Sequence, residues 1–375
     1  MRIVQIIPSF NVGGGELLAV RLAAEIKRQQ PDFDVYILSL YDAIPTVVYD
    51  EALASGAQVV TLGKKKGFDP AIFRKIFKFL FAVKPDVIHT HLAGLRYALA
   101  PSVFFPESRR IHTIHNVAHH EVSAVVGWIH KLAFKVLGWM PVALSKMIQD
   151  SIVDFYGIKP PIVDNGIACH HSVFGFDRLE LRSRLGFSAD DILLITIGRL
   201  DKQKNQALLM DAFAKVLNVR PDAKLLIVGD DPTNGAYKSL LMDKASCLPP
   251  GIKQAIHFLG PRKDVAMLLR ASDVFVISSD WEGVPLVLLE AMAYRVPIVS
   301  TAVGGIPDVI SQEINGILVE KGDIDGLAAA IIRVLSNDLL AETLVVNAAD
   351  TFKQCYSIDN TARNYLALYD KVRSS

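Results

Sequence analysis

Cysteine is scarce. Cys169, Cys247 and Cys355 are the only three in 375 residues, and they lie far apart. With no CxxC pair, neither a disulfide framework nor a thiolate zinc site is expected, and a reduced, cytoplasmic setting is the default. An excess of one charge is also lacking. Forty Lys and Arg against thirty-nine Asp and Glu leave a formal charge of +1, which argues against a nucleic-acid binder relying on bulk electrostatics. No uncharged run reaches the ~18 residues of a membrane span. The opening MRIVQIIPSF reads as a β-strand, not a signal peptide: its apolar run is short and holds Gln5, and no small-residue cleavage site follows. With 51% hydrophobic and 21% charged residues the composition is globular, and the length favours two domains, each with its own core.

What the sequence does contain is an alternation of short β-branched runs with helical stretches. Arg2–Pro8 is expected as the first strand, followed by SFNVGGGE and a helix over Leu17–Gln30. Strand, glycine turn, helix is how a backbone approaches a phosphate or a sugar. A dinucleotide fingerprint is incomplete, because Leu18 holds the third glycine place and Asp42 comes late after VYILSL. AQVVTL, PDVIHTH and RRIHTIH are further strands, and Pro70–Lys84 is a basic amphipathic helix. Lys64–Lys66, Arg74, Lys75 and Lys78 cluster beside phenylalanines. A solvated helix face is the simpler reading, and docking on anionic lipid is the alternative. The apolar stretch Val122–Leu144, interrupted by His130, Lys131 and Lys135, is expected as a buried or interfacial helix. Histidines crowd this half (His89, His91, His112, His115, His119, His120). His89 and His91 share a strand face but lack a third ligand for a metal. His115 differs: it closes the strand IHTIH, at the edge where open α/β sheets place their ligands.

The segment Asp164–Phe187 loses periodicity and gathers charge, as an interdomain linker does. A second strand series follows, with DILLITIG, KLLIVGDD, IHFLG, DVFVIS and PIVST. Its first loop, RLDKQKN, puts Arg199 and Lys204 at the top of a strand and the mouth of a helix, an anion-binding arrangement. The organising stretch is Ser278–Ser300. A short buried strand, the loop DWEG and Pro285 lead into PLVLLEAMAY, a helix apolar on almost every face except at Glu290. Burying a bare carboxylate costs several kcal/mol, roughly, so Glu290 needs a partner. Glu282 stands eight residues earlier, and the helix start between the two acids offers unpaired backbone N–H groups to a phosphate. Two carboxylates flanking an anion site suit a nucleotide sugar, phosphates at the helix start and hydroxyls on the acids. In the plainer alternative, Glu282 favours the helix dipole and Glu290 pairs with a structural cation.

GGGE near the start, with GRLDKQKN, EGVPLVLLE and NGILVE in the second half, resembles the family 4 retaining glycosyltransferases. The likeness covers nearly the whole chain and is strongest from Ile195 to Glu320. It implies a GT-B architecture: two Rossmann-like doubly wound α/β domains facing across a deep cleft. The expected boundaries are an acceptor-side domain over 1–168, a linker over 169–189, a nucleotide-sugar domain over 190–356, and a helix over 357–375 crossing back to the first domain. The resemblance further implies that Glu290 holds the donor ribose and Glu282 the transferred sugar. The backbone at Gly283, Val284, Pro285 and Leu286 would meet the diphosphate, which Arg199 and Lys204 neutralise. Gly13, Gly14, Gly15 and Glu16 would approach the donor, His115 would lie over the sugar, and the base would sit against Val228, Gly229, Asp230, Gly260, Pro261 and Arg262.

The hard step in such a transfer is breaking the bond from the anomeric carbon to the diphosphate. Two DxD strings, Asp32-Phe33-Asp34 and Asp323-Ile324-Asp325, read as turn and cap residues and not as a metal site. No metal and no cofactor are therefore expected; Arg199, Lys204 and the helix start meet the charge. The expected activity is retaining transfer of a hexose from a UDP-sugar, UDP-glucose or a near relative, to a glycan or lipid-linked acceptor in surface or exopolysaccharide synthesis. Peripheral contact with the inner membrane surface belongs to that expectation. A nucleotide-sugar epimerase and a catalytically silent nucleotide-sugar-binding scaffold are the alternatives.

Overall fold

The computed structural model describes residues 1–11, 13–67, 69–118, 124–169, 174–231 and 235–371. The chain divides into two compact units, one of Met1–Ala168 with Cys355–Ser375 and one of Cys169–Gln354.

In the first unit, β1 (Arg2–Ile7), β2 (Asp34–Ser39), β3 (Gln58–Thr61), β4 (Val87–His91), β5 (Arg109–Ile114) and β6 (Trp139–Ala143) form one sheet. Their order is β3-β2-β1-β4-β5-β6, with every pairing parallel. The second unit repeats that plan with β7 (Ile192–Ile197), β8 (Ala223–Val228), β9 (Ile256–Gly260), β10 (Val274–Ile277), β11 (Ile298–Thr301) and β12 (Ile317–Val319), in the order β12-β11-β10-β7-β8-β9. Both are doubly wound Rossmann-like sheets. The central strands are buried because helices cover both faces, and those of the second sheet read as nearly unbroken apolar runs; β10 and β11 are buried throughout. In each sheet the strand order reverses once, between β1 and β4 and between β7 and β10. Ligands of such sheets bind beyond the carboxyl ends of the strands at that crevice.

Helix ends follow local chemistry. Ser145, Asp177, Asn205, Asp323 and Asn337 each accept a hydrogen bond from a first-turn N–H, while Gly157 closes its helix in the left-handed conformation. The helix Ile358–Lys371 supplies Ala362, Tyr365 and Tyr369 to the core of the first unit, beside Ile3, Ile37 and Val87. The core of the second unit centres on Leu194, Leu209, Phe213, Leu225 and Ile331.

Five readings of the sequence change. The apolar stretch ending at Leu144 is not one helix: Ala124–Lys135 is helical, Gly138 turns at φ +69°, and Trp139–Ala143 is strand β6. Pro141 hid that strand, and proline is tolerated there because β6 is the edge of its sheet. The three-residue edge strand β12 was too short to read as a strand. Part of the presumed linker, Arg178–Arg184, is a helix, and its charges are internal bonds. Buried Arg182 donates to the carbonyls of Ala271, Ala189 and Asp191 and pairs with Asp273 at 2.5 Å. The first helix begins at Gly14, so Gly14, Gly15 and Glu16 form its first turn and not a preceding loop. Lys64 does not belong to a solvated basic face; it is buried, donating to Tyr41 and to the carbonyls of Lys65 and Gly67. His119 and His120 lie outside the described residues.

Candidate active site

In the second unit the switch point is built by two loops, Gly198–Asn205 after β7 and Ser278–Pro285 after β10. Asn205 ties them: its Oδ1 caps the helix Gln206–Leu217 by accepting from Leu208 N, and its Nδ2 donates to Asp280 at 3.2 Å. Ser278 Oγ donates to the carbonyls of Lys204 and Asn205 at 3.0 and 3.1 Å, and Asp280 N to the Gln203 carbonyl at 2.8 Å. The side chains so held meet in one ion pair. Lys204 Nζ lies 2.5 Å from Glu282 Oε1, with the side chains 18% and 5% exposed. Ser279 Oγ donates to the same oxygen at 2.6 Å, and Gln203 Nε2 reaches Oε2 at 3.3 Å. Lys204, Ser279, Glu282 and Pro285 line a single small cavity.

Two glycines make this geometry possible. Gly304, in the loop after β11, has φ +56°, and a Cβ there would stand 1.7 Å from the Glu282 carbonyl oxygen. Gly229 has φ +141°, and its Cβ would meet the Gly198 carbonyl at 1.8 Å. Neither position admits another residue without displacing backbone. Around Gly229 the ends of β7, β8 and β9 are laced together: Gly198 N donates to Val228 O, Leu200 N to Asp230 O and Gly229 N to Gly260 O.

The expected site residues fall into separate groups. Lys204 and Glu282 are in contact. Arg199 is 62% exposed, 3.4 Å from Asp201 and hydrogen-bonded to Gln203 Oε1, so it joins the pair through Gln203. Val228, Gly229 and Asp230 abut Gly198 and Arg199, with Asp230 3.5 Å from Lys238. Gly260 follows on the next strand; beyond Pro261, Arg262 pairs with Asp264. Gly283 and Val284 lead to Pro285, which caps the helix Leu286–Ala293 instead of opening it. Leu286 is the first helical residue. The burial of the two acids is the reverse of that expected. Glu290 shares the partly exposed side of its helix with Leu286 and Val287, whereas Leu288, Leu289, Ala291 and Met292 face the core. Glu282, from the loop, is the buried carboxylate. A helix only two turns long that is flanked by a proline cap cannot be assigned an inner face from its composition alone.

In the first unit Glu16 is 9% exposed, and burial raises its carboxyl pKa. Gly15 packs against Leu92, which follows β4. His115 stands just past β5, its Nε2 3.0 Å from His91 Nδ1, and burial lowers its pKa to about 4. It is therefore a neutral imidazole at physiological pH. His89 and His91, the candidate metal pair, are fully buried in hydrogen bonds to Tyr369, Thr113 and Gln5.

The model described as glycosyl transferases group 1 matches residues 177–351, and the model described as glycosyltransferase family 4 matches residues 12–171. The chain belongs to glycosyltransferase family 4. It is 27% identical over 283 residues (71% of this chain, 70% of the relative) to the UDP-Gal:alpha-D-GlcNAc-diphosphoundecaprenol alpha-1,3-galactosyltransferase of Escherichia coli. It is 34% identical over 199 residues to the N-acetyl-alpha-D-glucosaminyl L-malate synthase of Bacillus anthracis, a stretch that spans 53% of this chain and 50% of that one. Anabaena HepE, solved in complex with UDP, has the same fold at a TM-score of 0.82 and 19% identity, covering 99% of this chain and 100% of that one. The fold class is GT-B, and the chemistry of this family 4 chain is glycosyl transfer from a nucleotide sugar.

Sequence reasoning missed Gln203, Ser279, Gly198 and Gly304. Gln203 sits beside Lys204 in the polar loop that was read for its cations alone. The Gly304-Gly305 pair, three residues past the end of β11, was the legible sign of a close backbone approach. Removing one member of a buried ion pair strands the other charge. Lys204→Met is therefore expected to lower the urea-unfolding stability of the second unit by about 3 kcal/mol. Adding Glu282→Gln should restore more than half of it. A change for Lys204→Met below about 0.5 kcal/mol, the scale of an exposed pair, would contradict the role given to this contact.

Proposed function

We propose that this family 4 glycosyltransferase moves a hexose, with retention and without a metal ion, from a UDP-sugar to a lipid-linked or glycan acceptor in the building of a surface polysaccharide. UDP-glucose or a close relative is the donor this reading favours. The observation that carries it is the Lys204–Glu282 pair at the switch point, beside the start of the helix Leu286–Ala293. A diphosphate seated there meets the backbone N–H groups of Val284 and Leu286 and the cations Arg199 and Lys204. Glu282 accepts hydrogen bonds from hydroxyls of the transferred sugar, and Glu290, on the partly exposed helix side, from those of the ribose. The base rests on Val228–Asp230 and Gly260–Arg262. Gly13–Glu16 and His115 serve the donor from the first unit. The named donor of the E. coli relative and the UDP held by Anabaena HepE both favour uridine.

As the glycosidic bond to the diphosphate lengthens, negative charge grows on the leaving oxygens. Arg199, Lys204 and the helix start are fixed where that charge appears, and one preorganised donor of this kind is worth about 10²–10³ in rate. The placing of the DxD strings agrees with metal-free chemistry. Asp34 opens β2, at the edge away from the switch point, and Asp323 caps the helix Ile324–Leu335. No side chain is assigned as a covalent nucleophile. A panel of UDP- and GDP-hexoses incubated with acceptor in EDTA tests the reading. Transfer from a UDP-hexose with anomeric retention is expected. Isomerised sugar formed without acceptor, or activity abolished by EDTA and restored by manganese, would overturn it.

A lipid-linked acceptor also fits one face of the first unit. Three helices there, Ala71–Val83, Gly94–Ser102 and Ala124–Lys135, hold Arg74, Lys75, Lys78, Arg96, Lys131 and Lys135 and no Asp or Glu. Trp128, Leu132 and Val136 form an i, i+4, i+8 stripe that is 68%, 37% and 68% exposed. Phe81 and Phe104 are exposed nearby, joined through the ring of Phe77, and Arg110 ties the carbonyls of Phe105 and Leu137 together. Apolar side chains ringed by cations suit an anionic bilayer surface. No helix among the described residues is long and apolar enough to cross one. Flotation should show binding to phosphatidylglycerol vesicles, lost in Trp128→Ser with Phe104→Ser. Equal recovery with phosphatidylcholine alone would count against an electrostatic dock.

A further inference from the structure

Seven polar side chains of the first unit form one continuous chain of hydrogen bonds through its core. It starts at His115. His115 Nε2 and His91 Nδ1 are 3.0 Å apart, and His91 Nε2 and Gln5 Oε1 2.8 Å apart. Gln5 Nε2 donates to Tyr369 OH at 3.1 Å, and that hydroxyl lies 2.7 Å from His89 Nδ1. His89 Nε2 is 2.7 Å from Thr113 Oγ1, which is 2.6 Å from Tyr365 OH. Six of the seven are 0% exposed.

The sheet explains how they meet. Gln5 pairs with His89 across β1 and β4, and His91 with Thr113 across β4 and β5, so alternate residues of three strands point to one face. Tyr365 and Tyr369, one turn apart on the helix Ile358–Lys371, reach down onto that face. Six buried polar residues in a Rossmann core is an expensive arrangement unless every one is satisfied.

The chain has a direction. An amide oxygen only accepts, so Gln5 Oε1 requires the proton of His91 on Nε2. Burial keeps His91 neutral, its pKa well below the usual histidine value, which leaves Nδ1 as an acceptor. His115 must then donate from Nε2. On the far side Tyr369, accepting from Gln5, donates to His89 Nδ1; His89 donates through Nε2 to Thr113, and Thr113 to Tyr365.

We propose that Gln5, His91 and Tyr369 are positioning residues that hold His115 as the Nε2–H tautomer, its ring fixed and its Nδ1 the accepting nitrogen. Strand β1 and the helix Ile358–Lys371 thereby set the hydrogen-bonding character of a residue just past β5. The inference rests on the role toward the donor proposed above for His115.

The test uses the full-length protein with 15N-labelled histidine, and the variants Gln5→Met and Tyr369→Phe. Multiple-bond 1H–15N correlation reads which nitrogen of each ring is protonated. In the wild type His115 is expected as Nε2–H. In Gln5→Met that signature should broaden or move to a tautomer mixture, with kcat down by about tenfold or more and UDP affinity within twofold. Tyr369→Phe, which keeps the ring, should show the same change in smaller degree, and serves if Gln5→Met does not fold. An Nδ1–H tautomer in the wild type, or both variants with unchanged His115 signals and wild-type kcat, would overturn the proposal. His115→Ala separates the two levels. If it transfers sugar normally, the role of His115 falls, while the tautomer assignment still stands or falls on the spectra.

Discussion

Everything assigned to the second unit depends on holding a lysine and a glutamate together where the strand order reverses. Their separation of 2.5 Å is set by backbone, not by the two side chains alone. Asn205 and Ser278 lock the loops that carry them, Ser279 and Gln203 also donate to Glu282 and leave acceptor capacity on Oε2, and Gly304 lets the next loop press against its carbonyl. A partly buried ion pair contributes little net stability, because desolvation offsets attraction. In the proposed reaction its value lies in fixing a cation beside a helix start, where a transferring phosphate could use it without further reorganisation.

The two units are the same solution with different side chains. Each has six parallel strands in one order, a single reversal, and candidate residues just past the carboxyl ends of adjacent strands. The second unit spends its polar groups on that edge. The first buries them beneath it, in a line of histidines, tyrosines and a glutamine that runs from the sheet into the last helix. Those buried rings are neutral because charging any of them in so dry a place is costly.

Much of this was legible in the chain itself. The central strands announced themselves as β-branched, charge-free runs, and spacing singled out Lys204 and Glu282, which the fold brings into contact. Edge elements were not legible: β6 contains a proline and β12 only three residues, since edge strands need neither full burial nor a full ladder. The inner and outer acids were exchanged because an eight-residue helix leaves no periodicity to count. Lys64 and the Arg178–Arg184 segment misled for another reason. Charge density in a sequence looks the same whether it faces water or closes a buried hydrogen-bond set, and only the fold showed Arg182 with four partners. The histidine line was invisible as a unit, since its members come from four elements more than 360 residues apart in sequence at the extreme.

Family membership settles glycosyl transfer from a nucleotide sugar but not the acceptor, which in the names of two relatives is a diphosphoundecaprenol-linked sugar in one and malate in the other. The central claim is narrower: the Lys204–Glu282 crevice is a diphosphate site. Calorimetric titration of UDP against UMP tests it directly. Two charged donors and a helix start aimed at the second phosphate should make UDP bind at least about tenfold more tightly than UMP. Equal affinity for the two nucleotides would mean that this crevice does not hold the diphosphate, and the account of the site would fail with it.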